Sequence, residues 1–158
     1  METTSAPQDT AAPETTAAPE VTEAPVAVQD PFCFTFEGVA LTPGTVYDAA
    51  ALPEPISVYQ VPSCAIEGTD NLYDYGTVEV TAFNDGDGEI IYSVYIKDAN
   101  TPTDEGLYIG DTLEQVSSIY GTDRTENGNE LVYTAGKTLL VIIVENDTVT
   151  SIEFRADI

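Results

Sequence analysis

Histidine and tryptophan are absent from this chain of 158 residues, and bases, cysteine and methionine are scarce: four, two and one. Without histidine there is no Ser-His-Asp or Cys-His base for nucleophilic catalysis. Cys33 and Cys64 fit no C-x2-C spacing, and no imidazole is present to complete a zinc site with them. No G-x-S-x-G, Walker or dinucleotide-binding glycine pattern occurs. The four bases, Lys97, Arg124, Lys137 and Arg155, are scattered along the chain. Phosphate recognition needs them clustered, so no nucleic acid is expected as a partner, nor a basic membrane-surface patch. No apolar run is long enough to span a bilayer. The expectation is a protein that is not an enzyme and takes no cofactor and no metal.

Acid is abundant. Aspartate and glutamate number 28, giving a formal net charge of −24. Six of these acids precede Phe32, where no base occurs. That segment, residues 1–31, has proline at 7, 13, 19, 25 and 31 and repeats a unit close to A-P-E-x-T-x. Proline forbids helix continuation and interrupts a sheet ladder, and nothing large and apolar is available for a core. Residues 1–31 are therefore predicted to be a disordered Pro/Thr/Ala/Glu-rich stalk, reaching up to ~3.1 Å per residue as polyproline II. The expected setting is extracellular: a Gram-positive lipoprotein whose only membrane attachment is a lipid-modified cysteine upstream of Met1, with the stalk crossing the wall. There Cys33 and Cys64 would form one disulfide, closing a loop of about 30 residues for on the order of 3 kcal/mol. In a reducing compartment they would remain thiols.

From Phe32 the composition changes. Aromatic and β-branched residues appear between closely spaced turns, and 42% apolar content suffices for a core. The two halves repeat weakly. Gly38–Thr45 resembles Gly106–Asp111, and Tyr92–Asp98 resembles Thr150–Asp157. The spacing predicts a helix after Asp111, with Asp111 as N-cap, Glu114 at N3, Leu113, Val116 and Tyr120 on one face and Gly121 closing it. A matching helix is predicted from Thr45 to Leu52, with Val46, Ala49 and Leu52 inward. Strands are predicted at Leu72–Phe83, Glu89–Lys97, Leu131–Thr134, Lys137–Glu145 and Thr148–Arg155. Asn84–Gly88 and Asn146-Asp147 supply turns between them. The fold class is thus α+β: tandem α-β-β repeats, residues 32–105 and 106–158, forming one antiparallel sheet with short helices packed on one face.

Leu107–Val116, Tyr120-Gly121 and Leu131–Tyr133 together resemble the G-x-(S/T)-x-x-x-V…G…Y pattern of small α-β-β lipoprotein domains. That group includes the SmpA/OmlA-type assembly lipoproteins and the tandem-repeat β-lactamase inhibitory proteins (BLIP-like domains). Phe34–Val39, Pro62–Gly68 and Val149–Glu153 look similar to uncharacterised lipoproteins of gut Firmicutes. The resemblance spans most of residues 32–158. It implies a binding or assembly protein, the inhibitors using a concave sheet face. No inhibitory loop is recognisable here, and both cysteines fall in the first copy.

Two local features invite functional readings. Asp85-Gly86-Asp87-Gly88-Glu89 begins like a calcium loop, but position 12 counted from Asp85 is Ile96, not a bidentate Glu; a hairpin tip explains these residues. The nine tyrosines offer contact area at low entropic cost. Alternation along 90–97 puts Ile90, Tyr92, Val94 and Ile96 on the covered face, leaving Tyr95 on the open one, with Tyr73 and Tyr75 if they share its side. These three tyrosines are the candidate partner-binding residues. The expected function is a monomeric cell-surface binding module for a protein or wall component. The alternatives are an envelope structural or assembly lipoprotein, and a glycan hydrolase using a carboxylate pair.

Overall fold

The structure is a computed structural model that describes residues 31–64 and 66–158. The predicted stalk lies outside the described residues, apart from Pro31. A small hairpin comes first, β1 (Phe34–Phe36) and β2 (Val39–Leu41). Then follow β3 (Ser57–Pro62), β4 (Thr69–Asp74), β5 (Val78–Asn84) and β6 (Glu89–Ile96). The helix α1 (Leu113–Tyr120) precedes β7 (Thr125–Asn127), β8 (Glu130–Ala135), β9 (Thr138–Glu145) and β10 (Thr148–Ala156). Strands β3 to β10 form one sheet in the order β3-β4-β5-β6-β10-β9-β8-β7, every neighbouring pair antiparallel. Two four-stranded meanders are therefore joined along β6 and β10.

Antiparallel sheet dominates the molecule, and α1 is the one helix among the described residues. The predicted helix Thr45–Leu52 does not form, because its backbone groups are used elsewhere. Gly44 N–H donates to Ile91 O, Ile91 N–H to Thr45 O, and Tyr47 N–H to Glu89 O. These bonds hold residues 44–47 along the start of β6, with Val46 bridged to Ile90, and Asp48 then opens a turn in which its carbonyl accepts from Ala51 N–H. Gly44, immediately before the segment, turns at φ +86° and sets its direction. Val46 is consequently exposed, while Tyr47 and Leu52 turn inward. The α-β-β unit is thus not repeated: only the second half carries a helix.

That helix is capped one residue later than the D-x-x-E spacing suggests. Thr112 is the N-cap and Gln115 closes a reciprocal capping box. Asp111 is otherwise engaged, its carboxylate accepting from Tyr108 N–H and its carbonyl from Val149 N–H. Gly121 ends the helix at φ +82° as expected. The single strand predicted over Leu72–Phe83 is two strands. Asp74 Oδ1 accepts from Gly76 N–H, and Gly76 turns at φ +86°. The Asn84–Gly88 and Asn146-Asp147 turns form where predicted. Asn146 and Asp147, at φ +50° and +63°, give the I′-like geometry of a tight hairpin.

The core lies on one side of the sheet. Val78, Val80, Ala82, Ile91, Val94, Ile96, Leu140, Ile142, Ile152 and Phe154 point into it. Phe34, Leu41, Tyr47, Leu52, Leu107 and Val116 reach it from the hairpin, the loops and α1. A β-bulge governs which β6 residues take part. Thr81 pairs with Ser93 but Ala82 pairs with Ile91, so Tyr92 is the extra residue. Beyond it the alternation changes phase: Ile91 is buried, while Ile90 and Tyr92 are only half-buried. The expected all-apolar face Ile90/Tyr92/Val94/Ile96 is corrected to Ile91/Val94/Ile96.

The Cys33–Cys64 bridge is not formed. Phe32 N–H donates to Thr138 Oγ1 at the start of β9, which places Cys33 near that strand. Cys64 follows β3 at the opposite edge of the sheet. Five strand spacings of about 4.8 Å lie between β3 and β9, against a Cα separation of about 7 Å at most for a disulfide. Cys64 is exposed.

Two outcomes follow from this architecture. Phe154, fully buried and 6.0 Å from the Phe34 ring, should cost about 3–5 kcal/mol when changed to alanine; urea denaturation measures this, and a loss below about 1 kcal/mol would contradict the core described. Cys64 should react with a thiol reagent in the folded, unreduced protein, and Cys64→Ser should shift stability by no more than about 0.5 kcal/mol. A loss of about 3 kcal/mol in that variant would restore the bridge.

Candidate binding surface

Every residue on a β-strand points to one face or the other, so burying one set commits its alternates to the opposite face. Cross-strand registers define that second face. In one row Asp74, Glu79, Tyr95, Glu153, Val141 and Val132 stand side by side. In the next come Tyr59, Leu72, Thr81, Ser93, Arg155 and Leu139. The apolar residues of α1, β1, β2 and the long loops that are buried all join the other side. Tyr59 is 54% exposed, Leu72, Tyr95, Val132 and Leu139 are half-buried, and Ser93 and Val141 between them are buried.

Two of the molecule's four bases lie on this face, beside five acids, Asp70, Asp74, Glu79, Glu130 and Glu153. Lys97 Nζ lies 2.7 Å from Asp74 Oδ2 and 4.0 Å from Glu79 Oε2. Arg155 Nη1 lies 3.9 Å from Glu153 Oε2. Two of the four bases are thus spent here against three acids. The Lys97 ammonium, with the Gly76 N–H, holds the Asp74 carboxyl below its ordinary value. Both partners are solvent-accessible, so the pair adds little to stability and mainly fixes the charge pattern.

The three predicted tyrosines do not share a surface. Tyr95 lies on the open face, paired with Glu79 and Glu153. Tyr73 pairs with Val80 and packs against the core from the other side. Its ring stacks on Tyr47 with centroids 4.3 Å apart, and its hydroxyl lies 2.7 Å from both Glu89 carboxylate oxygens. Tyr75 shares a hydroxyl–hydroxyl hydrogen bond with Tyr47 and packs on Phe36. Gln60 donates to Asn71, which in turn donates to Glu89. Tyr73 and Tyr75 are therefore parts of the plug that covers the first half where a helix was expected. The signal was available in principle: Tyr73 is two residues from Asn71 and in register with the apolar alternation Val78, Val80, Ala82 of β5. The placement nevertheless depends on Tyr47, which arrives from a loop.

At the far end, Phe32, Ile119, Tyr120, Tyr133 and Asp123 line a cleft of about 270 Å³. Its aromatics are occupied with one another: Tyr120 packs edge-on to Phe32 and tilts against Tyr133. The Tyr120 hydroxyl lies 2.7 Å from Thr103 Oγ1 and from Glu105 Oε2. A neighbouring polar cleft is lined by Asp123, Arg124, Thr125, Val132 and Thr134. Each of these clefts has Asp123 as its one carboxylate. At the β5–β6 hairpin Asn84 and Asp85 side chains accept backbone N–H groups of residues 86–88, the work of a turn. No group of three or more Asp, Glu or Cys among the described residues converges to hold a metal.

Sequence reasoning missed β3. It is an edge strand of six residues, and Val58 and Tyr59 are more than half exposed. Alternation over Ser57–Val61 is weak and prolines bracket the segment at 55 and 62, which hides it from pattern reading.

Comparison with family models, with curated proteins and with solved structures finds no match for this chain.

Burial pushes the Tyr47 and Tyr73 phenols well above the ordinary tyrosine value, seconded by the hydrogen bond to Tyr75 in the first and to Glu89 in the second. In the folded protein they stay protonated where the unfolded chain ionises, from about pH 10. The folded state then binds more protons, so this stabilisation is complete below about pH 10 and is lost as pH rises toward the folded-state values. Urea midpoints measured near neutrality and at about pH 11 should fall less for Tyr73→Phe than for the unaltered protein; equal falls would show that the phenol is not held.

Proposed function

We propose that the protein is a non-catalytic binding module, a BLIP-like arrangement of two sheet halves carried at a cell surface on its Pro-rich stalk, and that it meets its partner through the open face of the sheet. The observation that carries this is the one-sidedness of the eight-stranded sheet: core on one side, and on the other Tyr59, Leu72, Tyr95, Leu139 and Val132 among the ion pairs of Lys97 and Arg155. An anionic molecule that places half its bases on a single apolar-studded face lowers the electrostatic cost of bringing another surface there. Aromatic and aliphatic groups with a charged surround are what interface centres are built from.

The surface setting rests on the repeated proline-rich segment of residues 1–31 and on the lipoprotein resemblance. A carboxylate-pair hydrolase gains no such support. Glu79 and Glu153 are separated by the Tyr95 strand on an open face, and each cleft carries a single acid.

The test is affinity capture from native cell surfaces with the full chain as bait, beside a variant carrying Tyr95→Ser and Leu139→Asp. Both residues are half-buried and outside the core, so circular dichroism should show an unchanged fold. Loss of the captured partner by at least about tenfold is expected. An identical captured set from the variant would remove the open face from the function.

A further inference from the structure

Four of the seven exposed large hydrophobic residues among the described residues lie on β3 or the loops flanking it: Ile56 at 74%, Val58 at 51%, Tyr59 at 54% and Ile66 at 37%. β3 is also the longer of the two sheet edges, six residues against three in β7. A strand with one paired neighbour presents alternate backbone N–H and C=O groups outward, a template for another strand. Proteins ordinarily blunt such edges with lysine, a bulge, an inward charge or a covering loop. β7 is blunted by its shortness and by the Arg124–Glu126 pair. β3 pairs with β4 without a register break and contains no charge; proline stands only at its end, Pro62.

The local charge selects the occupant. Residues 53–74 contain no base, and indeed no Lys or Arg precedes Lys97; of their acids Glu54 and Glu67 are exposed, while Asp70 is buried and Asp74 is paired with Lys97. Lys97 is committed to Asp74 and Glu79. Two copies placed edge to edge would oppose the same acids on chains of net charge −24, which disfavours self-pairing. An extended segment with alternating apolar and basic residues meets none of that repulsion. On one face its apolar side chains would lie beside Val58, on the other beside Tyr59, as cross-strand neighbours do. Its bases would reach the surrounding carboxylates.

From this we infer that β3 is a strand-addition site, accepting as a ninth strand an extended, basic segment of another protein. The site is separate from the open face in one useful respect. Val58 pairs with Tyr73 and lies on the core side of the sheet plane, whereas Tyr95 and Leu139 lie on the other.

Selection of short random peptides against the full chain tests this directly. Enrichment of sequences alternating Lys or Arg with β-branched or aromatic residues is expected. Calorimetry on a synthetic winner should show affinity falling at least about tenfold in Val58→Lys, on N-methylation of alternate peptide amides, and on raising salt to about 0.5 M. Val58 is more than half exposed, so the variant should fold, which circular dichroism checks. The Tyr95→Ser, Leu139→Asp variant should bind the peptide like the unaltered protein, so failure of the open-face function and failure of this site are distinguishable. Absence of enrichment, winners without an excess of bases, winners insensitive to Val58→Lys or to N-methylation, or a dimer in sedimentation equilibrium that Val58→Lys dissociates would each overturn the inference.

Discussion

Strands β6 and β10 pair at the centre of the sheet, Ile96 opposite Ile152 and Val94 opposite Phe154, and all four side chains are fully buried. Each half of the chain is otherwise a meander of short hairpins, a unit that is marginal in water by itself. Joining the last strand of one meander to the last strand of the other gives a sheet wide enough to support a single continuous core. It also fixes the parity of every strand. Once Val94 and Phe154 are committed inward, Tyr95 and Glu153 must face outward, and the registers carry that choice to both edges. The open face is in this sense a consequence of the central pairing.

The two halves cover the buried side by different means. In the second half α1 places Val116 on the sheet, with Leu113 and Tyr120 packed around it. In the first half a loop does the same work with Tyr47 and Leu52, and Tyr47 is held by stacking on Tyr73 and by the hydroxyl of Tyr75. A helix satisfies its own backbone. A loop cannot, and this one borrows the carbonyls of Glu89 and Ile91 and the Ile91 N–H from the start of β6. The aromatic plug and the Gln60–Asn71–Glu89–Tyr73 hydrogen-bond chain are what make a helix-free cover possible.

Features that depend on residues close in sequence were legible before any coordinates. The turns at 84–88 and 146–147, the apolar run at 139–144 and the end of α1 at Gly121 follow from local backbone preferences. Features that depend on a distant partner were not. Thr45–Leu52 has acceptable helical spacing, and only the competing bonds from β6 show why its first residues are held out of a helix. The bulge at Tyr92 leaves no compositional mark, yet it reverses the facing of Ile90 and Ile91. Tyr73, Tyr75 and Tyr95 appear equivalent in sequence because the turn at Gly76 and the sheet registers, which separate them, are tertiary. Of the three candidate tyrosines, only Tyr95 lies on the open face. Val58 and Tyr59 were overlooked because both faces of β3 are exposed at these adjacent residues, so burial imposes no alternation there.

Acidity has a structural consequence beyond solubility. An uncharged, partly apolar edge such as β3 is an aggregation hazard in most proteins, and the usual remedy is a lysine on the edge itself. A lysine there would repel every incoming strand of like charge and would weaken any basic one. Here the edge is neutral and the repulsive charge is placed around it, at Glu54 and Glu67, in a first half that contains no base before Lys97. Such an arrangement discriminates by sign. It keeps copies of this chain, and other acidic chains, from pairing at β3, while the backbone groups of the edge remain accessible. Specificity of that kind arises from an element that repels the wrong partner as much as from contacts with the right one.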